Sequence, residues 1–286
     1  MNEVRDSASN ERRIEEVCDA VRDLVAPQVA LLKDYSWVGS ANKQTFEFVK
    51  RAAVIRQFEA ANAILALVKA GHGSFGVTLL RPAYEELVWI EYLKKNDDFS
   101  LSLVQLLTKK ELLDSHQYQK QYLGQSEIRK LGFTKKLSRR IEHGVGDPDE
   151  ELKSIGASLG WRRGKSQPPV AFVARKVGRE KQYNYLYQGT SRSVHFSPHE
   201  LQRRVWGVHG KVNIASNHFE KYWSDFAMSW SFRILIETLV GADLVSDLPS
   251  QGNNEELVDL MEELRPVQIL TASELEAWDE PRPALQ

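Results

Sequence analysis

This sequence predicts an all-α fold, a single multi-helix bundle, and three observations predict it. Apolar residues recur at intervals of three and four through most of its 286 residues, the spacing that lines one face of a helix. No run alternates apolar and polar residues for long enough to require a sheet. Glycine and proline fall mostly between the periodic segments, where they end helices.

Taken in order, residues 10–33 place Ile14, Val17, Val21, Leu24 and Val25 on one face, with Asn10 as N-cap and a kink expected at Pro27. Residues 41–70 repeat Phe46, Val49, Ala53, Phe58, Ala61, Leu65 and Val68, and Gly71 suits the C-terminal cap. A third helix spans 74–95, interrupted at Pro82. A fourth covers 98–123, and a basic one follows over 126–143. Beyond Gly144, Asp147 and Pro148 read as the N-cap and first position of the next helix. Pro168 and Pro169 open a short helix ending near Gly178. The stretch 183–200 reads as another helix, and helices over 198–209, 217–245 and 254–264 complete the set. The chain divides into an N-terminal helix (1–40), the main bundle (41–245) and an acidic C-terminal helix and tail (246–286). The last stretch, TASELEAWDEPRPALQ, is expected to be mobile.

Composition narrows the function classes. With 42% hydrophobic and 27% charged residues, the chain reads as an ordinary globular protein. Its single cysteine, Cys18, excludes an internal disulfide framework and a cysteine-based zinc site. The polar N-terminus does not resemble a signal peptide, and no apolar stretch is long and uninterrupted enough to span a membrane, so a cytoplasmic location is expected. The net charge of −1 conceals an asymmetry. Residues 120–181 hold 15 Lys/Arg against 7 Asp/Glu, whereas 241–286 hold 2 against 11. These are solvated helix faces, or the basic stretch receives an anionic partner such as RNA or a nucleotide, or the acidic tail folds back to mask it.

Three groups of residues could carry chemistry. Arg81 and Glu85, four apart amid leucines, can pair on one helix face as a structural ion pair or an anion site. In YNYLYQGTSRSVHFSPHE, Tyr183, Tyr187, Ser191 and His195 fall into one file at helical spacing. Ser191 and His195 could hydrogen-bond along it, but a serine in mid-helix lacks the strained turn and oxyanion hole of a nucleophile. His195 is the better candidate, as a base or as a polar anchor. His195 and His199 are too poorly supported by other ligands to suggest a metal, and no cofactor motif occurs. The third group, Arg204 and His209, fits the Arg-x4-His pattern and resembles the motif of HEPN ribonucleases. That resemblance implies metal-independent RNA cleavage across a homodimer.

As a set, Arg81-x3-Glu85, the Trp161, Gly164 and Lys165 loop, Ala174, and Tyr187-x3-Ser191-x3-His195 resemble the bacterial family catalogued as domain of unknown function 5677. The similarity covers about residues 45–240. It implies that Arg81, Glu85, Tyr187, Ser191 and His195 converge between two helices far apart in sequence, with Trp161 and Lys165 as further ligand-binding candidates. Two function classes follow. One is a ligand- or partner-binding module in a bacterial stress or phage-defence setting; the other is a HEPN-like nuclease. Whether the chain is an enzyme is left open.

Overall fold

A computed structural model describes residues 2–36, 45–143, 146–208, 211–214, 218–245, 253–264, 267–271 and 274. Among them are eleven helices and one short hairpin, and the all-α expectation holds. The helices are α1 (Asn2–Lys33), α2 (Thr45–Lys69), α3 (Gly73–Lys95), α4 (Asp97–Lys130), α5 (Lys135–His143), α6 (Pro148–Ser158), α7 (Val170–Lys176), α8 (Glu180–Val194), α9 (Pro198–Gln202), α10 (Glu220–Gly241) and α11 (Asn253–Glu263). Strands β1 (Val205–Val208) and β2 (Lys211–Ile214) lie between α9 and α10.

The centre is α10, whose residues are buried almost all round, packed between α2 and α3. A helix apolar on every side has to sit inside a bundle. Here α1, α2, α3 and α11 surround it, and α3 carries α7 and α8 on its outer face. A single hydrophobic cluster runs from Val17 on α1 to Leu264 after α11. Gly73 opens α3 directly against α10. A Cβ there would stand 2.5 Å from Ser224 Oγ, and the Gly73 N–H donates to Glu220 Oε1 at 2.5 Å.

Several local expectations are met by cap geometry. Gly71 adopts φ +73° at the end of α2, and the His72 N–H reaches back to the Leu67 carbonyl at 2.8 Å. Asp147 accepts from the N–H groups of Asp149 and Glu150 at the start of α6. The break expected after residue 123 is a kink inside α4 at Gly124, φ +78°.

Others need correction. The first helix does not begin at Asn10 but continues back to Asn2. α3 runs unbroken through Pro82, since dense packing against α10 and α2 outweighs the loss of one backbone hydrogen bond. The helix expected over 198–209 stops at Gln202, and residues 205–208 pair antiparallel with 211–214, Val205 opposite Ile214. Four-residue strands are too short to register as an alternation. Most of the C-terminal tail, and His209, lie outside the described residues.

Candidate functional site

The Arg81–Glu85 pair forms as the spacing predicts, with Arg81 Nε donating to Glu85 Oε1 at 3.0 Å across one turn of α3. Arg81 Nη1 lies 2.9 Å from His195 Nε2. A guanidinium can only donate, so Nε2 accepts and the ring proton sits on Nδ1. The same guanidinium stands 5.0 Å from the ring centre of Tyr187, and Tyr187 packs on Tyr183 at 5.5 Å. The crevice lined by Arg81, Glu85, Tyr183 and Tyr187 measures about 10 Å³, room for at most one water. This half of the site has no room for a larger ligand.

His195 does not complete the file as a helical residue. It is the C-cap of α8, with extended backbone (φ −111°, ψ 164°), and its N–H donates to the Ser191 carbonyl at 3.0 Å. Ser191 therefore contributes its carbonyl to the cap. The turn carries the imidazole out to Arg81 on one side and to an open cleft on the other.

That cleft, about 190 Å³, lies between the first turns of α3 and the α8–α9 turn, lined by His195, Arg192, Arg204, Glu200, the exposed rings of Phe75 and Phe196, and the hydroxyls of Ser74, Thr78, Ser193 and Ser197. Arg204 Nη2 reaches Ser74 Oγ at 3.4 Å, with its guanidinium 5.9 Å from the Phe75 ring centre. Arg192 Nη1 donates to His199 Nδ1 at 3.1 Å. Among the described residues neither guanidinium has an acidic partner at ion-pair distance. Glu200, the one carboxylate in the lining, bonds Arg203 instead at 3.2 Å. Burial raises the Glu200 carboxyl above its ordinary range, against the pull of Arg203, Arg192 and Arg204.

Behind the cleft the C-terminal segment docks on α9 and α10. Thr271 and Glu274 form a capping box: the Thr271 N–H donates to Glu274 Oε2 at 2.9 Å and the Glu274 N–H to Thr271 Oγ1 at 3.3 Å. Glu274 also accepts a two-pronged bond from Arg203, at 2.6 and 2.9 Å, and lies 3.1 Å from His199 Nε2. Arg203 is only 4% exposed, and its guanidinium packs 4.6–5.4 Å from the ring centres of Phe219, Tyr222 and Trp223. The Tyr222 hydroxyl and Arg203 Nη2 donate to the Ile269 carbonyl, and the Tyr185 hydroxyl to that of Val267. The described part of the segment thus covers Arg203.

Trp161 and Lys165 stand apart. Trp161 is buried against Gly156 and donates from Nε1 to the Tyr92 hydroxyl at 2.8 Å. Tyr92 is eleven residues beyond Arg81, about 16 Å along α3 at the helical rise. Lys165 is exposed on the turn at Gly164, φ +77°. Arg204 sits in the turn after α9, so the Arg-x4-His segment passes into a strand rather than along a helix.

Sequence reasoning missed Arg192, Phe75, Phe196 and Arg203, and a second polar network deep in the bundle. Arg179, the N-cap of α8, holds Glu91 of α3 with two bonds of 2.6 Å and Glu237 of α10 with one of 2.6 Å. Gln182 and Arg233 also bond Glu237. The acids were visible as single charges inside VWIEYL and ILIETLV. No periodicity could show that both reach one arginine from a third helix.

Among the described residues no helix is long and apolar enough to cross a membrane. Nor do any three His, Cys, Asp or Glu stand close enough to hold a metal ion. Compared with known families, residues 47–212 match the model of the family of unknown function DUF5677, more than half of the chain. The chain belongs to this family. No curated protein and no solved structure matches it.

Proposed function

We propose that this member of the DUF5677 family is a ligand-binding module that holds a small anion of the phosphate or nucleotide class in the cleft between α3 and the α8–α9 turn. The observation that carries this reading is the pair of guanidinium groups, Arg192 and Arg204, facing one cleft with no acidic partner at ion-pair distance among the described residues. A partly desolvated cation gains most from a counter-charge, and the guanidinium fork matches the oxygens of a phosphate. Hydroxyls of Ser74, Ser193 and Ser197 supply further donors, and Phe75 and Phe196 offer faces for a flat ring. His195, fixed by Arg81, presents Nδ1–H as a neutral donor. The anion site expected of the basic stretch 120–181 is assigned to Arg192 and Arg204, outside it.

Titration calorimetry with inorganic phosphate and with adenosine monophosphate tests the proposal. Hydrogen bonds to charged groups contribute about 1.5–3 kcal/mol, so Arg192→Ala or Arg204→Ala should each weaken binding by roughly 10- to 100-fold. Wild-type affinity in the double variant would refute it.

A second reading is favoured by one observation: Arg204 and a histidine, His195, line the same cleft. This is the HEPN-like alternative, RNA cleavage by an arginine and a histidine without metal. Incubation of the wild type, His195→Ala and His209→Ala with mixed RNA in chelator discriminates. Cleavage lost in one variant supports it; RNA left intact by the wild type rejects it.

A further inference from the structure

Arg192 serves two places. It lines the cleft, and its Nη1 donates to His199 Nδ1, which makes His199 neutral, with its proton on Nε2 facing Glu274 Oε1 at 3.1 Å. The imidazole therefore bridges the cleft and the docked C-terminal segment. We propose that ligand occupancy is transmitted to that segment through this bridge: an anion that draws Arg192 off the ring lets His199 take up a proton and grip Glu274 as an ion pair. The inference rests on the cleft being an anion site.

The charges around His199 set the direction. Arg192 of α8 and Arg203 after α9 face it as cations, Glu274 of the segment as an anion. Glu200 of α9 is bonded to Arg203, and Tyr222 of α10 lies beneath the Arg203 guanidinium. Burial and the two arginines oppose protonation, which Glu274 favours, and the neutral ring prevails. An anion in the cleft changes two of these influences together. It offsets the positive field, and it removes the donor that occupies Nδ1. The ring is about one-third exposed, so the proton comes from solvent. The contact to the Glu274 carboxylate, made until then by a neutral N–H, becomes an ion pair. Because Thr271 and Arg203 already fix the Glu274 carboxylate, a tighter grip restrains the described residues 267–271 and 274 together. Linkage requires the reverse as well: affinity for the anion rises as pH falls, by up to about tenfold per unit while one proton is taken up.

Calorimetry with inorganic phosphate between pH 5.5 and 7.5, in buffers of different ionisation enthalpy, counts the protons taken up. Hydrogen exchange of residues 267–274 reads the segment. The wild type should bind with proton uptake and slow exchange there. His199→Gln, which keeps an acceptor for Arg192 and a donor for Glu274 but cannot titrate, should bind without His199-linked uptake and without the slowing. His195→Gln should bind more weakly yet keep both. Glu274→Gln should lose the slowing and supplies the same test if His199→Gln does not fold. Uptake that persists in His199→Gln but vanishes in His195→Gln, or exchange unaffected by phosphate, overturns the coupling while leaving the cleft as a binding site. Absence of any binding heat in the wild type removes the cleft reading and the coupling with it.

Discussion

Arg179→Ala is the most informative test of how the bundle is held together. The guanidinium closes a three-helix junction, meeting Glu91 of α3 through two bonds of 2.6 Å and Glu237 of α10 through one of 2.6 Å. All three side chains are at most one-fifth exposed, so solvent screens them little. The opposing acids also raise the Arg179 pKa, against the burial that would lower it. Truncation strands the two acids unequally. Glu237 keeps Arg233 at 3.1 Å and Gln182 at 3.0 Å. Glu91 loses its only ion-pair partner among the described residues, and the damage concentrates there. Removing one member of a buried pair costs about 3–5 kcal/mol, because the survivor stays charged and desolvated. Urea unfolding followed by tryptophan fluorescence should show that loss, and the melting temperature should fall by about 10 °C. Adding Glu91→Gln removes the stranded charge and should restore about half of it. A cost below about 1 kcal/mol for Arg179→Ala, or no recovery in the double variant, would refute the assignment of the strain to Glu91.

Three further outcomes are expected. Gly156→Ala places a methyl 2.3 Å from Cε3 of Trp161 and should destabilise by about 1–3 kcal/mol, with a changed tryptophan emission. Cys18 is fully buried and its thiol pKa is pushed up, chiefly by burial, so a thiol reagent at pH 8 should react at the rate of unfolding and quickly only in denaturant. In the unliganded protein, docking of the C-terminal segment through Glu274 should weaken in acid. Glu274 is held below the ordinary carboxylate range, where its bonds from Arg203 and Thr271 overcome burial. That contribution is present above the unfolded value and is lost as pH falls below about 4.5. Limited proteolysis after residue 264 should accelerate over that range, and Glu274→Gln should remove the step.

The helices were legible because burial of one face writes a period of three to four into the residues, and α2 shows it from Phe46 to Leu65. Where burial surrounds a helix, as on α10, the period fades, but the length and apolar density of 217–245 still announced it. Pro82 misled because proline reports a local cost, while continuity through α3 is decided by helices packed alongside. Of the site, Arg81–Glu85 followed from spacing, and the resemblance brought His195 to it from 114 residues away. The cleft itself could not be read. It is made where α8 stops and α9 starts, and turns carry no period from which to infer which way Arg192 or Phe196 faces.

One consequence concerns the adjacent arginines after α9. Arg203 is sunk among three aromatic rings and bound to Glu274, while Arg204 opens into the cleft. Both directions are set by the count of residues from the cap at Ser197, through a helix of only five residues. Inserting one residue in this stretch would turn Arg203 to the cleft and set Gln202 in the interior position; deleting one would turn Arg204 inward and bring Val205 to the cleft. The spacing from Ser197 to Arg204 should therefore tolerate changes of residue far better than changes of length, and a library varying each separately would show the difference.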